Sequence, residues 1–191
     1  MSLNLKLVPV EYRHMTWLKT MRNNPEIMDF CRQPYLLSDF TQEEWFKNVS
    51  KSKEMIPFIV TDLDLKSGED WVAYCAFSNI DPLARRAECS YFVDPKLRGK
   101  GYGEETIFLL LHYGFYRLGY ETINTDTFAY NKREIEINKR CGFEESGRHV
   151  QHYFKRGKLI DSVILYITRM QFDLTYSDRL LSIAEFESKP L

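Results

Sequence analysis

The sequence predicts a mixed α/β fold of the α+β kind. Its sheet is mostly antiparallel, with about six to seven strands and a central parallel pair, flanked by helices. Three observations predict it. Three strand-like runs follow one another between residues 57 and 93 with only turns between them, so they pair antiparallel. A β-α-β unit follows, which demands a parallel pair and a right-handed crossover. Two last strand-like runs are joined by the short turn KRGK and read as a hairpin.

Taken in order, residues 3–9 (LNLKLVP) alternate apolar and polar and predict the first strand. Met15, Leu18, Met21, Ile27 and Met28 recur at helical spacing through 13–31, and Pro25 after Asn23 and Asn24 starts a second helical piece. SDFTQEEWFKNV (38–49) opens with capping residues, with Glu43 and Glu44 toward the helix start. PFIVTDL (57–63) and WVAYCAFSNI (71–80) are strands joined by the polar turn DLKSGED, and AECSYFV (87–93) is the next, ended by Asp94 and Pro95. Residues 104–118 gather Ile107, Leu110, Leu111, Gly114 and Leu118 on one helical face. TINTDTFA (122–129) alternates as a strand, and a short helix over 131–141 stops at Gly142. The final hairpin follows. The tail beyond Phe172 predicts one short helix around Ser177–Glu185.

Composition narrows the function. Hydrophobic residues at 44% supply a core, and a formal charge of −1 gives no global basic excess for nucleic acid. The longest apolar runs, such as IFLLL, are too short to span a bilayer, and the first residues lack the features of a signal peptide. Four widely spaced cysteines, with no C-x-x-C pair, read as buried free thiols of a cytoplasmic protein. His149 and His152 are three apart, but no third ligand is spaced to help them, so no metal site is expected.

The stretch LRGKGYGEETIF (97–108) carries the chemistry. A basic turn with glycines at 99, 101 and 103 follows a strand and opens a helix. Such a turn presents bare backbone N–H groups at the positive end of a helix dipole and binds anions. The P-loop spacing is absent, and Gly99-Lys100-Gly101-Tyr102-Gly103 misses the dinucleotide spacing G-x-G-x-x-G by one residue. A plain glycine-rich turn is the remaining alternative.

The string RGKGYG resembles the R/Q-x-x-G-x-G/A signature of the GNAT superfamily of acyl-CoA-dependent N-acyltransferases. NKREIEINKRCGFEESG (131–147) is similar to the N-x(10)-G-F-x-x-x-G segment of the branch holding ribosomal-protein N-terminal, spermidine and amino-sugar acetyltransferases. The closing YFKRGKLIDSVILYIT, with RNNPEIMDF and EEWFKNV at the front, is similar to the same branch. The resemblance covers roughly residues 3–171, which makes 1–171 a single acyltransferase domain and 172–191 a C-terminal extension.

The resemblance implies a GNAT-type fold and acetyl-CoA as co-substrate, without a metal. It implies transfer of acetyl to a primary amine of a small molecule, such as a polyamine or amino sugar, or of a protein N-terminus. A non-catalytic CoA-binding or partner-binding module is the alternative. Neither nucleic acid nor membrane is an expected partner; a homodimer is compatible with the sequence. Arg98, Gly99, Lys100, Gly101, Tyr102 and Gly103 would hold the coenzyme diphosphate. The main chain of Tyr91, Phe92 and Val93 would bond the pantetheine arm as an added strand, and Asn131 would touch the coenzyme. Lys139 or Arg140 would reach its outer phosphates or lie on a solvated helix face. Glu88 would be the base, its rival role being an ion pair with Arg85, Arg86 or a neighbouring strand. A backbone N–H near Phe92 or Val93 would hold the oxyanion. Asn138 stands where the family commonly has the tyrosine that protonates the leaving thiolate, so Tyr130, Tyr153 or solvent is left for that task. Phe30, Tyr35, Trp45 and Tyr153 would frame the acceptor pocket or belong to the core.

Overall fold

The computed structural model describes residues 3–65 and 70–187. Its strands are β1 (Leu5–Pro9), β2 (Ile56–Asp62), β3 (Trp71–Asp81), β4 (Arg86–Val93), β5 (Thr122–Phe128), β6 (Glu144–Lys155) and β7 (Lys158–Thr168). They form one sheet in the order β1-β2-β3-β4-β5-β7-β6. β4 and β5 run parallel, and the other neighbours are antiparallel. The expected mixed sheet with its central parallel pair is therefore present.

The helices are α1 (Met15–Asn23), α2 (Pro25–Met28), α3 (Asp39–Val49), α4 (Tyr102–Tyr116), α5 (Lys132–Arg140), α6 (Arg169–Thr175) and α7 (Ser177–Glu187). Local chemistry sets their ends. Pro25 opens α2 behind Asn24, whose side chain accepts from the Glu26 N–H. Ser38 caps α3 by accepting from the Thr41 N–H. Asn131 caps α5, and Gly142 just beyond it takes φ +93°. The β6–β7 hairpin turns on Arg156 and Gly157, both at positive φ, as a two-residue hairpin loop requires.

α4 is the crossover between β4 and β5, and it lies close to the sheet. A Cβ on Gly114 would stand 2.7 Å from Phe77 Cζ and 2.8 Å from Ile123 Cδ1. The main core on this side gathers Phe77, Phe108, Phe115, Ile123, Leu165 and Phe172. A smaller core of Met15, Leu18 and Ile59 packs with Trp17, Trp45, Tyr74 and Phe92.

Two expectations change. α4 begins at Tyr102 rather than 104, so the glycine turn runs straight into its first turn. The chain past the hairpin forms two helices, not one: α6 starts on a capping box between Thr168 and Gln171 and crosses the expected 171/172 boundary, with Phe172 wholly buried. Of the turn DLKSGED, residues 66–69 lie outside the described residues. All four cysteines are free; three are buried, and Cys31 is half-buried.

Candidate active site

The β4–β5 pairing is short. It joins Arg86 to Thr122, Ala87 to Ile123 and Glu88 to Asn124, and there it stops. β4 continues to Val93 and β5 to Phe128, so the two strands separate along the rest of their lengths. Asp94 N–H donates to the Val72 carbonyl at 2.9 Å on the β3 side. Main-chain groups alternate sides along a regular antiparallel ladder. Tyr91 and Val93 thus turn theirs toward the opened seam. Phe92 turns its main chain to β3, opposite Tyr74, and contributes its side chain, which stacks on Tyr74 with centroids 5.3 Å apart. This corrects the expectation that all three residues offer main-chain groups to the seam: Tyr91 and Val93 do, and Phe92 does not.

The seam opens into a cavity of about 780 Å³. Arg98, Gly99, Gly101, Tyr102, Gly103 and Asn131 line it; Lys100 is exposed and outside it. Gly99 and Gly101 take φ +80° and +90°, which only glycine adopts without strain. Gly101 caps α4, and among the described residues no main-chain bond engages the N–H groups of residues 99–104. These bare amides at a helix start form an anion cradle. Arg98 does not point freely into it: Nη1 donates to Glu26 Oε2 at 2.6 Å and Nη2 to the Glu26 carbonyl at 3.0 Å. Tyr102 buries its ring, and its hydroxyl donates to Asp62 Oδ2 at 2.6 Å, which leaves its main chain as its contribution. Arg140 pairs with Glu104, 2.9 Å from Nε, and Lys139 lies 3.8 Å from Glu145.

Glu88 sits at the last paired position, its side chain mostly buried at 16% exposure. It is ion-paired, but not with the expected arginines. Arg85 pairs with Glu121 at 3.1 Å and Arg86 with Asp81 at 3.5 Å. Arg32, arriving from the loop after α2, binds Glu88 Oε1, and Asn79 Nδ2 donates to Oε2 at 2.7 Å. Asn79 reaches it from a bulge in β3, where φ is +48°. Arg32 Nη2 also lies 3.6 Å from Asp126 Oδ2. Burial works against the charge, but Glu88, together with Tyr153 and Asp126, outweighs it, and the Arg32 guanidinium is held more firmly protonated than usual.

Both tyrosines named as substitutes for the missing one are hydrogen-bonded elsewhere. The Tyr153 hydroxyl donates to Asp126 Oδ2 at 2.8 Å, and the Tyr130 hydroxyl donates to the Asp29 carbonyl. Asn138 is buried, and its Nδ2 lies 3.4 Å from Glu134 Oε1. Glu134 borders the cavity beside Tyr91, and burial pushes its carboxyl up to about 7. Of the residues expected to frame the acceptor pocket, Phe30 and Trp45 line the cavity, Tyr35 is exposed and Tyr153 is tied to Asp126.

Sequence reasoning missed Arg32, Asn79, Asp126 and Glu134. Glu134 left a signal, standing one helical turn before Asn138. The others left none, because only the folded chain brings them to Glu88: Asn79 and Asp126 through the sheet, Arg32 from the loop after α2.

A parallel strand pair that parts beside an anion-binding helix start is the architecture of an acyltransferase that takes its acyl group from a carrier thioester. Comparison with known proteins names the class further. The model of the acetyltransferase (GNAT) domain matches residues 4–144, so the chain belongs to that family, and it is an acetyl-CoA-dependent N-acetyltransferase. A spermidine N(1)-acetyltransferase of Vibrio cholerae is 25% identical over 173 residues, 90% of this chain and 97% of that protein. The spermidine N(1)-acetyltransferase of Escherichia coli K12 is 23% identical over 88% of each chain. The crystal structure of the Vibrio cholerae spermidine N-acetyltransferase in complex with CoA and spermine superposes with a TM-score of 0.82 at 24% identity, covering 88% of this chain and 98% of that one. Among the described residues, no helix is long and apolar enough to cross a membrane.

Proposed function

We propose that the chain acetylates a primary amine of a small polyamine-type molecule, in the cytoplasm, without nucleic acid or membrane as partner. The observation that carries the reaction is the seam that opens one residue past Glu88. The acceptor class is supported by the polyamine enzymes among its relatives and by the carboxylates of Glu88 and Asp126 on the acceptor face.

In this reading the coenzyme diphosphate lies on the amides of residues 99–103. The pantetheine arm pairs with the main chain of Tyr91 and Val93, and Asn131 flanks it. The thioester carbonyl then comes to the parting of the strands, where the Val93 N–H holds its developing oxyanion. An alkylamine has a pKa near 10.4, so freeing its lone pair at neutral pH costs roughly 4–5 kcal/mol. Glu88 takes that proton, directly or through water. Arg32 and Asn79 fix the carboxylate and leave lone pairs on both oxygens, since a carboxylate has about four acceptor sites. The departing thiolate, with a pKa near 8.5, leaves without strong help. Glu134, which also borders the cavity and has its pKa raised to about 7, is the donor we assign to it.

Acetylated product is measured by mass spectrometry across a panel of amines. Polyamines are expected to be turned over, and Glu88→Gln to lower kcat/KM by about 10²–10⁴-fold. Undiminished turnover by the variant would remove Glu88 as the base, and turnover of amino sugars alone would overturn the acceptor class.

A further inference from the structure

A second cluster on the Glu88 face shares Asp126 with the acceptor side and adds two histidines that the reaction does not use. His149 and His152 stand three apart on β6, where a regular strand would send them to opposite faces. β6 is irregular there. Its register against β7 shifts between His149 and Tyr153, and Gln151 takes φ +50°. The Gln151 N–H donates to Asp161 Oδ1 at 2.8 Å and pins the bulge, which sets two extra β6 residues against β7. The bulge restores both imidazoles to one side, stacked with centroids 4.4 Å apart and planes 19° from parallel. The sheet supplies the third ligand that sequence spacing did not. Asp126 reaches the pair from β5, and one ligand-capable atom of each residue lies within 4.8 Å of the others.

The Asp126 carboxylate is asymmetrically served. Oδ2 accepts from Tyr153 and faces Arg32, while Oδ1 is buried with no hydrogen-bond partner among the described residues. We propose that His149, His152 and Asp126 form a binding site for one divalent transition-metal ion of the zinc class. Two imidazoles and one carboxylate select zinc, cobalt or nickel over magnesium or calcium, which prefer oxygen donors throughout. Metal–ligand bonds of about 2.1 Å call for donors roughly 3.4 Å apart in a tetrahedral site. Both histidines are exposed, so their rings can turn to close that gap at the cost only of their mutual stacking and the His152–Tyr153 contact. Three protein ligands leave a coordination position for water.

The ion would also reach the chemistry. It competes with Arg32 for Asp126, and Arg32 is what holds Glu88. It adds positive charge to the face that meets a cationic amine. Occupancy therefore slows acetylation. The binding claim is independent of the proposed reaction; only this inhibition rests on it.

The test uses the full chain stripped with a chelator and titrated with Co²⁺. We expect d–d absorption that saturates at one ion per chain and is displaced by Zn²⁺. His149→Gln/His152→Gln should weaken binding at least about tenfold, the lower end of what even outer-shell changes cost. Circular dichroism melting checks that these surface changes leave the fold intact, and Asp126→Asn gives a second ligand variant. Equal binding by wild type and the histidine double variant would overturn the site. Zn²⁺ should inhibit product formation by wild type, reversibly with chelator, and spare the double variant. Equal inhibition of both would place the ion elsewhere, at a thiol such as Cys31, and sink the inhibitory role while leaving the reaction itself untouched.

Discussion

Glu134 is the residue whose environment is least expected. It lies one turn before Asn138, and the groups facing it are Tyr91 and Cys89 on β4 and Arg133, Asn138 and Cys141 on and after α5. Burial is the main cause of its raised pKa, and the hydrogen bonds pull the other way. The sign of its effect on stability follows. With the folded value about 7 against an ordinary 4.5, the folded chain keeps a proton that the unfolded chain has lost. Its contribution is fully present below the unfolded value and is lost as pH rises to about 7. The full shift would be worth up to ~3 kcal/mol, and partial exposure at the cavity edge reduces it to about 1–2 kcal/mol. Glu134→Gln is therefore expected to match wild type in unfolding free energy, measured by urea titration, near pH 4 and to exceed it near pH 8 by roughly that amount. If Glu134 also protonates the thiolate, the same variant loses the fall in kcat above about pH 7. Identical midpoints at both pH values would show that the carboxyl is solvated.

At the scale of elements, the turn before α4 separates folding from binding. Gly101 needs its positive φ, so alanine there strains the backbone by roughly 1–3 kcal/mol. Gly103 is different. It is helical, and a Cβ on it would meet only Tyr91 Cε2 at 3.9 Å and Ile137 Cδ1 at 4.0 Å, ordinary contacts. Alanine at 103 should keep or raise stability, by up to about 1 kcal/mol of helix propensity. Its methyl group would nonetheless stand among the amides that face the diphosphate. We expect Gly103→Ala to weaken acetyl-CoA binding about tenfold or more by calorimetry, at an undiminished Tm, because close backbone approach is what the glycine provides. A variant that binds normally would move the phosphate site off this turn. Caps and glycines of this kind made most elements legible in the sequence: Pro25, Ser38 and Gly142 each mark an observed helix end. The boundary at Thr168 was not legible, because its capping box interrupts an apolar run that otherwise reads on as strand.

At the scale of the whole molecule, what the sequence shows and hides divides by contact range. The proposed coenzyme side is local, a strand, a turn and a helix start within residues 89–103, and those elements were legible. The contacts of the proposed acceptor side were not. Arg32 meets Glu88 across 56 positions, and Asp126 meets the β6 histidines only through the sheet order β5-β7-β6. The same holds for the far end of the core. The resemblance ends near residue 171, yet Phe172 is wholly buried, with its ring 5.7 Å from Phe108, 5.3 Å from Phe115 and 5.0 Å from Tyr176. Arg179 lies over the Phe108 ring at 3.3 Å and pairs with Glu105 in the first turn of α4. The last two helices thus brace α4 along its length, from Phe115 near its end to Glu105 in the first turn, beside the anion cradle. Phe172→Ala should cost about 3–5 kcal/mol, as removal of a buried ring does. A chain ended at Gln171 should lose more, since Tyr176 and the Arg179–Glu105 pair go with it. Thermal unfolding of both against wild type measures this. If the shortened chain melts within a few degrees of wild type, a shift that amounts to roughly 1 kcal/mol for a domain of this size, then α6 and α7 are an appendage and not part of the acyltransferase core.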